Sequence, residues 1–109
     1  MTLELQTTPV TLISDATGAL GEHVLQALFT QFAPGAFALR VMRFVNSEAS
    51  LAECLAHLEQ TRGLVVHATI YDEFKQRIEA ACRQRNLPVN DLTGPIMAFL
   101  TAASGQQPD

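Results

Sequence analysis

The chain has 109 residues, the length of one ordinary domain, and 48% of them are hydrophobic, which is enough apolar material for a core. Its formal charge of −4, from seven basic and eleven acidic residues, argues against a nucleic-acid surface, which needs clustered Lys and Arg. No apolar run reaches the ~20 residues that span a bilayer, and no basic start followed by an apolar run marks a secretory signal. A cytoplasmic protein is therefore expected. Cys54 and Cys82 fit this: each falls at an apolar position of a predicted helix, in neither metal nor disulfide spacing.

Met1 to Pro9 reads as a leader, because Thr-Thr-Pro is a poor start for a regular element. A short apolar strand, Val10 to Ile13, follows, then the polar loop Ser14-Asp15-Ala16-Thr17-Gly18. Gly21, Val24, Leu25, Leu28, Phe29 and Phe32 recur at helical spacing and predict a helix over Leu20 to Phe32 with that face buried, ended by Pro34-Gly35. In the second strand, Ala36 to Val45, Phe37, Leu39 and Val41 alternate with Ala38 and Arg40, the pattern of a strand at or near a sheet edge. Phe37, Met42 and Phe44 make that edge a candidate dimer surface.

Ser50 with Glu53 has capping-box spacing, with Ser47 as a rival cap, for a second helix whose buried stripe is Leu51, Cys54, Leu55 and Leu58. Gly63 is the expected left-handed stop. Leu64 to Ile70 predicts a strand covered on both faces. Asp72 and Glu73 open a third helix with an inner stripe of Phe74, Ile78, Ala81 and Cys82, closed by Asn86 before Pro88. A short strand over Pro88 to Leu92 leads to a last helix, capped by Thr93 or Gly94 with Pro95 in its first turn. Ile96, Phe99, Leu100 and Ala103 are expected to face inward. Ser104 to Asp109 has linker composition.

Strand and helix thus alternate four times. This predicts an α/β domain over residues 1–103, a three-layer open sheet of parallel strands with helices on both faces, Rossmann-like. Strand order 2-1-3-4 is expected because it creates a switch point between the first and third strands. In that arrangement three loops, Ser14 to Gly18, Thr69 to Asp72 and Asp91 to Pro95, meet at one rim of the sheet. Ser14, Asp15, Thr17, Gly18, Thr69, Asp91 and Thr93 become the candidate ligand-binding residues, holding a phosphate or nucleotide through helix-terminal N–H groups and hydroxyls. The competing reading is that Thr17, Asp72 and Thr93 are helix caps and that Asp15 closes a turn through its own side chain.

His23 and His57 fall on helices and read as surface or partly buried residues, and His67, inside a strand, as a satisfied core residue; no metal-ligand spacing and no catalytic set emerges. Lys75 is the chain's single lysine and follows Phe74, so no Gly-Lys-Ser/Thr phosphate-binding loop exists within these residues.

Ile13-Ser14-Asp15-Ala16-Thr17-Gly18, then Gln31-Phe32, Arg43-Phe44-Val45, Val65 to Ile70, and Leu87-Pro88-Val89-Asn90-Asp91-Leu92 with Pro95 occur in an order that resembles the N-terminal region of the regulatory proteins of pyruvate, phosphate dikinase and phosphoenolpyruvate synthase. The resemblance runs from about Leu12 to Pro108. It departs after Gly18, where the family commonly continues Glu-Thr-Ala and this chain has Ala19-Leu20-Gly21, and at Arg43, where proline is common.

The resemblance implies a bifunctional family that phosphorylates a threonine of the dikinase or synthase with ADP and removes that phosphate with inorganic phosphate, its phosphate-binding loop lying in a second domain. It therefore implies that residues 104–109 are a linker to an absent kinase domain. It also implies that ADP or phosphate is a ligand of the full-length protein, and that the target enzyme is a partner. From these readings the chain is expected to be a regulatory or partner-binding domain inactive as a kinase on its own. A small-ligand sensor and a dimerisation module are the alternatives.

Overall fold

A computed structural model describes residues 7–108. Its elements alternate as β1 (Thr8–Ser14), α1 (Ala19–Phe29), β2 (Phe37–Met42), α2 (Glu48–Leu58), β3 (Leu64–Ala68), α3 (Asp72–Gln84), β4 (Val89–Asp91) and α4 (Gly94–Ser104). The four strands form one sheet in the order β2-β1-β3-β4, and every neighbouring pair is parallel. The expected Rossmann-like open sheet is thus the observed one.

β1 is the central strand, with Val10, Leu12 and Ile13 all buried. Its alternate side chains feed two cores, as strand pleating requires. Ile13 joins Val65 with Leu51, Cys54 and Leu58 of α2 and Ile78 and Cys82 of α3. Val10 and Leu12 join Leu25 of α1, with Phe29, Phe37 and Val66 packed around them. The predicted stripes of α2 and α3 are therefore the buried ones. Gly21 lets α1 approach the sheet: a Cβ there would lie 2.8 Å from a methyl of Leu12.

Both thiols are buried and free. Burial, with the neighbouring Cys82, pushes the Cys54 thiol up to about 12. Burial, with Glu79 beside it, also raises Cys82.

Several boundaries differ from the sequence reading. The leader's last residues, Thr8 and Pro9, belong to β1. Proline is tolerated there because β3 begins to pair only at Val10, so no ladder bond is lost on that side; Met1–Gln6 lie outside the described residues. β2 stops at Met42 because the chain bends around the end of β1: Phe44 takes a left-handed φ of 57°, and the N–H groups of Phe44 and Val45 donate to the carbonyls of Ala16 and Ser14.

Ser47, not Ser50, caps α2, and Ser50 serves as the reciprocal partner of the capping box. Gly63 does not end α2, which stops at Leu58. It turns the chain into β3 at a φ of 87°, with backbone of Pro9 where a Cβ would stand. Asn86 does close α3 in the left-handed conformation.

The largest correction concerns apolar faces. Leu28 and Phe32 of the first helical pattern are exposed, and α1 ends at Phe29. α4 buries none of its residues: Ile96 is 64% exposed, Phe99 68% and Leu100 54%, and Ala103 is exposed as well. The reason is geometric. α4 follows a three-residue strand at the sheet edge, and no described element lies opposite its apolar stripe.

The edge of β2 also spends its apolar side chains internally: Phe37 stacks on Phe29 at 4.9 Å and meets Phe32 edge-on at 5.0 Å, and Met42 packs against the α2–α3 core.

Two truncations, the smaller one in the core and the larger one on α4, should then differ sharply. Leu12→Ala is expected to cost about 2–5 kcal/mol, since Leu12 is fully buried, whereas Phe99→Ser should change stability by less than about 0.5 kcal/mol. Urea denaturation of both variants at low protein concentration measures the contrast.

Candidate functional site

Parallel pairing places all strand C-termini on one rim. The register aligns Ser14 with Ala68 and His67 with Asp91, so the loops after β1, β3 and β4 are neighbours. The Asp15 carboxylate joins the first two directly, accepting from the Ile70 N–H at 3.1 Å. The three expected loops therefore do converge.

The first loop uses its polar groups on itself. Ser14 Oγ accepts from the Ala16 N–H at 3.1 Å, and Thr17 Oγ1 from the Ala19 N–H at 3.2 Å. The Asp15 carbonyl accepts from Asn46 Nδ2 at 3.3 Å. Gly18 caps α1 at a φ of 81°, in a space where a Cβ would lie 2.8 Å from Val41. Of this loop's residues, Thr17 lines a separate depression with Glu22, His23 and Arg43, where Arg43 pairs with Glu22 at 2.9 Å.

The second and third loops enclose a cavity of 660 Å³ between the β3–α3 turn and α4. Thr69, Tyr71, Lys75, Thr93, Gly94 and Met97 are among its walls. Thr69 is buried, and its Oγ1 has no hydrogen-bond partner. No side chain caps α3, whose Ncap is the extended Tyr71, so the first N–H groups of that helix are not satisfied by a cap. Thr93 stands at the Ncap of α4 but makes no capping bond.

Asp91 does that work instead. Its Oδ1 accepts from the Gly94 N–H at 2.7 Å, and its Oδ2 pairs with Lys75 Nζ at 3.0 Å. A Cβ at Gly94 would collide with this carboxylate, so glycine is required there by close approach. Burial pushes the Asp91 carboxyl up, but the Gly94 N–H, the Lys75 ammonium and His67 together outweigh it and hold the group below its ordinary value.

Behind Asp91, His67 is wholly buried. Its Nε2 lies 3.0 Å from Glu79 Oε2, and its Nδ1, 4.0 Å from Asp91 Oδ1, has no hydrogen-bond partner. The expected core histidine is thus satisfied at one nitrogen only. His67, Glu79 and Asp91 are close enough to suggest metal ligands. However, the carboxylates flank opposite ring nitrogens, and the Lys75 ammonium already neutralises Asp91. The group is a buried imidazole between two acids, locking β3, α3 and β4 together. His23 and His57 are exposed surface residues.

Of the candidate residues, Thr69 and Thr93 line the cavity and Asp91 braces it from behind, while Ser14, Asp15, Thr17 and Gly18 build the adjoining loop. Sequence reasoning missed Lys75 and Glu79 as members of this rim. Lys75 stands one turn after Asp72, on the cavity side of α3, but its partner Asp91 is sixteen positions away and becomes a neighbour only through the β3–β4 register.

A family model described as kinase/pyrophosphorylase matches residues 10–109. The chain is also similar to proteins named pyruvate, phosphate dikinase regulatory protein. That of Afipia carboxidovorans is 30% identical over 96 residues, 88% of this chain and 34% of the relative. That of Carboxydothermus hydrogenoformans is 30% identical over 107 residues, 97% and 39% respectively. That of Rhodopseudomonas palustris strain BisB5 is 32% identical over 94 residues, 86% and 34%. The chain therefore spans between about a third and two fifths of the length of these curated relatives.

Because Asp91 titrates lower when folded than when unfolded, its stabilisation is complete above the ordinary carboxylate value of 3.8 and is lost as pH falls through the lower folded value. Asp91→Ala should cost about 1–3 kcal/mol near neutral pH. The gap between wild type and variant should close as the solution is acidified below 3.8. Urea titrations at a series of pH values read this directly, and a gap that stays constant into acid would show that the ion pair contributes nothing.

Proposed function

Since this chain belongs to the kinase/pyrophosphorylase family, we propose that it is a regulatory domain that acts by binding a partner and not by transferring phosphate. The observation that carries this reading is the fate of its single lysine. Lys75 sits inside α3, paired with Asp91, preceded by Phe74 and far from any glycine-rich turn. Phosphoryl transfer of the kind that uses a phosphate-binding loop needs its lysine within a glycine-rich turn whose consecutive N–H groups cradle the phosphates.

The names of the relatives support a regulatory role directed at pyruvate, phosphate dikinase. In this proposal the dikinase or phosphoenolpyruvate synthase is the partner, and the family's ADP-dependent phosphorylation and phosphate-dependent dephosphorylation of a threonine reside outside these residues, beyond a linker that follows α4. Its setting is the cytoplasm, which suits two buried, unpaired thiols. No described helix is long and apolar enough to cross a membrane.

A second reading, a nucleotide or phosphate sensor, is favoured by the unpartnered Thr69 hydroxyl in the wall of the cavity, together with Lys75 and the uncapped start of α3. A ligand with a phosphate at this end and an apolar or aromatic body against Tyr71 and Met97 suits those walls.

Incubating the chain with dikinase or synthase and ADP is expected to leave no phosphothreonine on the target, while titration calorimetry detects a complex; measurable transfer contradicts the first reading. For the sensor, a thermal-shift series with ADP, AMP, pyrophosphate and phosphate is decisive. A ligand at 100 times its dissociation constant should add about 2.7 kcal/mol. Thr69→Val, which removes no hydrogen bond, should keep the fold and lose the shift. The sensor reading fails if none of the four ligands moves the transition.

A further inference from the structure

The segment after α4 has linker composition, yet it does not lead straight away from the helix. Gly105 takes the left-handed conformation at a φ of 73°, and its N–H donates to the Thr101 carbonyl at 3.0 Å. The Gln106 N–H then donates to Ser104 Oγ at 3.0 Å. This reversal brings Gln107 and Pro108 into the wall of the same cavity as Thr69, Tyr71 and Thr93.

We propose that residues 105–108 are a strap across the mouth of this cavity, hinged at Gly105, which lifts to admit a ligand and closes over it.

Three observations carry this. First, the β3–α3 turn and α4 supply two sides of the cavity, and the tail supplies a further wall that neither of them provides. Second, the strap is loosely tied. Every residue from Ala102 to Pro108 is exposed, none of them is a large apolar residue, and the two hydrogen bonds above lie within the turn. Lifting it breaks no core contact and is a local opening that leaves the sheet untouched. Third, the cavity holds a group that gains from cover. Thr69 Oγ1 is buried without a partner, and a ligand's hydrogen bond to it is stronger once water is excluded. The hinge requires glycine for its backbone alone: a Cβ at Gly105 would meet nothing within 4 Å, but a side chain at that φ is strained. A substitution there redirects the strap without touching the cavity wall.

The entry of a ligand rests on the sensor reading given above, whereas the strap is tested without one. Thr93→Cys puts a thiol in the cavity wall, and Cys54 and Cys82 are buried, so alkylation by N-ethylmaleimide, read by mass spectrometry, reports access to the cavity. The rate is compared in the intact chain, in Gly105→Val and in a chain lacking residues 105–109. Both tail variants are expected to react about tenfold faster, while His57→Cys, exposed on α2, reacts at one rate in all three backgrounds. Tyr71 gives a second readout with the cavity wall unchanged. It is the only tyrosine of a chain without tryptophan, so acrylamide quenching of its fluorescence should rise in the same two tail variants.

Alkylation of Thr93→Cys that is no faster without the strap, quenching of Tyr71 that does not change, or an equal acceleration at His57→Cys overturns the proposal. If the tail variants respond while ADP, AMP, pyrophosphate and phosphate all leave the thermal transition unmoved, the sensor reading falls and the strap stands. If one of those ligands binds and the tail has no effect on labelling, the strap falls and the sensor reading stands.

Discussion

Hydrogen bonding of β1 to parallel partners on both sides is the constraint on which the molecule depends. A strand paired at both edges and covered on both faces takes apolar or small side chains, and Val10, Thr11, Leu12, Ile13 and Ser14 are all buried. One residue of register shift would exchange the set that meets α1 with the set that meets α2 and α3, so the register is strongly specified. Parallel pairing then forces every strand to end on the same side. The gathering of the polar turns at one rim is a consequence of this topology and needs no ligand to explain it.

At that rim the polar groups divide into two kinds. Those of the loop after β1 are spent on holding backbone: Ser14, Asp15 and Thr17 each accept from a main-chain N–H. Those of the later loops organise around Asp91, which fixes the start of α4 through Gly94 and anchors Lys75, with His67 and Glu79 behind it. A partly buried carboxylate with a charged and a backbone partner is a stiff joint. It explains how α4 is held at its first turn although nothing packs on its stripe. The Thr69 hydroxyl is left without a partner beside this joint.

Local pattern made most of the fold legible. The strand–helix alternation, the order of the strands and the stripes of α2 and α3 follow from apolar spacing, because each of those elements has its partner within the sheet. The same spacing misled at α4. Periodicity in Ile96, Phe99, Leu100 and Ala103 reports that a helix has an apolar face, not what covers it. At the rim, the local role of Thr17 was readable from residue type, but that of Asp15 was not: its carboxylate reaches across to the Ile70 N–H instead of closing a turn of its own. The role of Asp91 as the cap in place of Thr93 was not readable either, since an Asp three residues ahead of a helix can serve its own turn or the helix, and only the close approach of Gly94 decides. The Lys75–Asp91 and His67–Glu79 pairs depend on register and helix phase across elements, which no short window contains.

The account separates a stable centre from an outward helix attached by one polar joint. Residue-resolved native hydrogen exchange tests that separation most directly. The account predicts that amides of β1 and β3 exchange only through global unfolding, while those of α4 exchange through local opening at a small fraction of that free energy. Protection in α4 equal to that of β1 would contradict it, because it would mean that the helix is packed into the core.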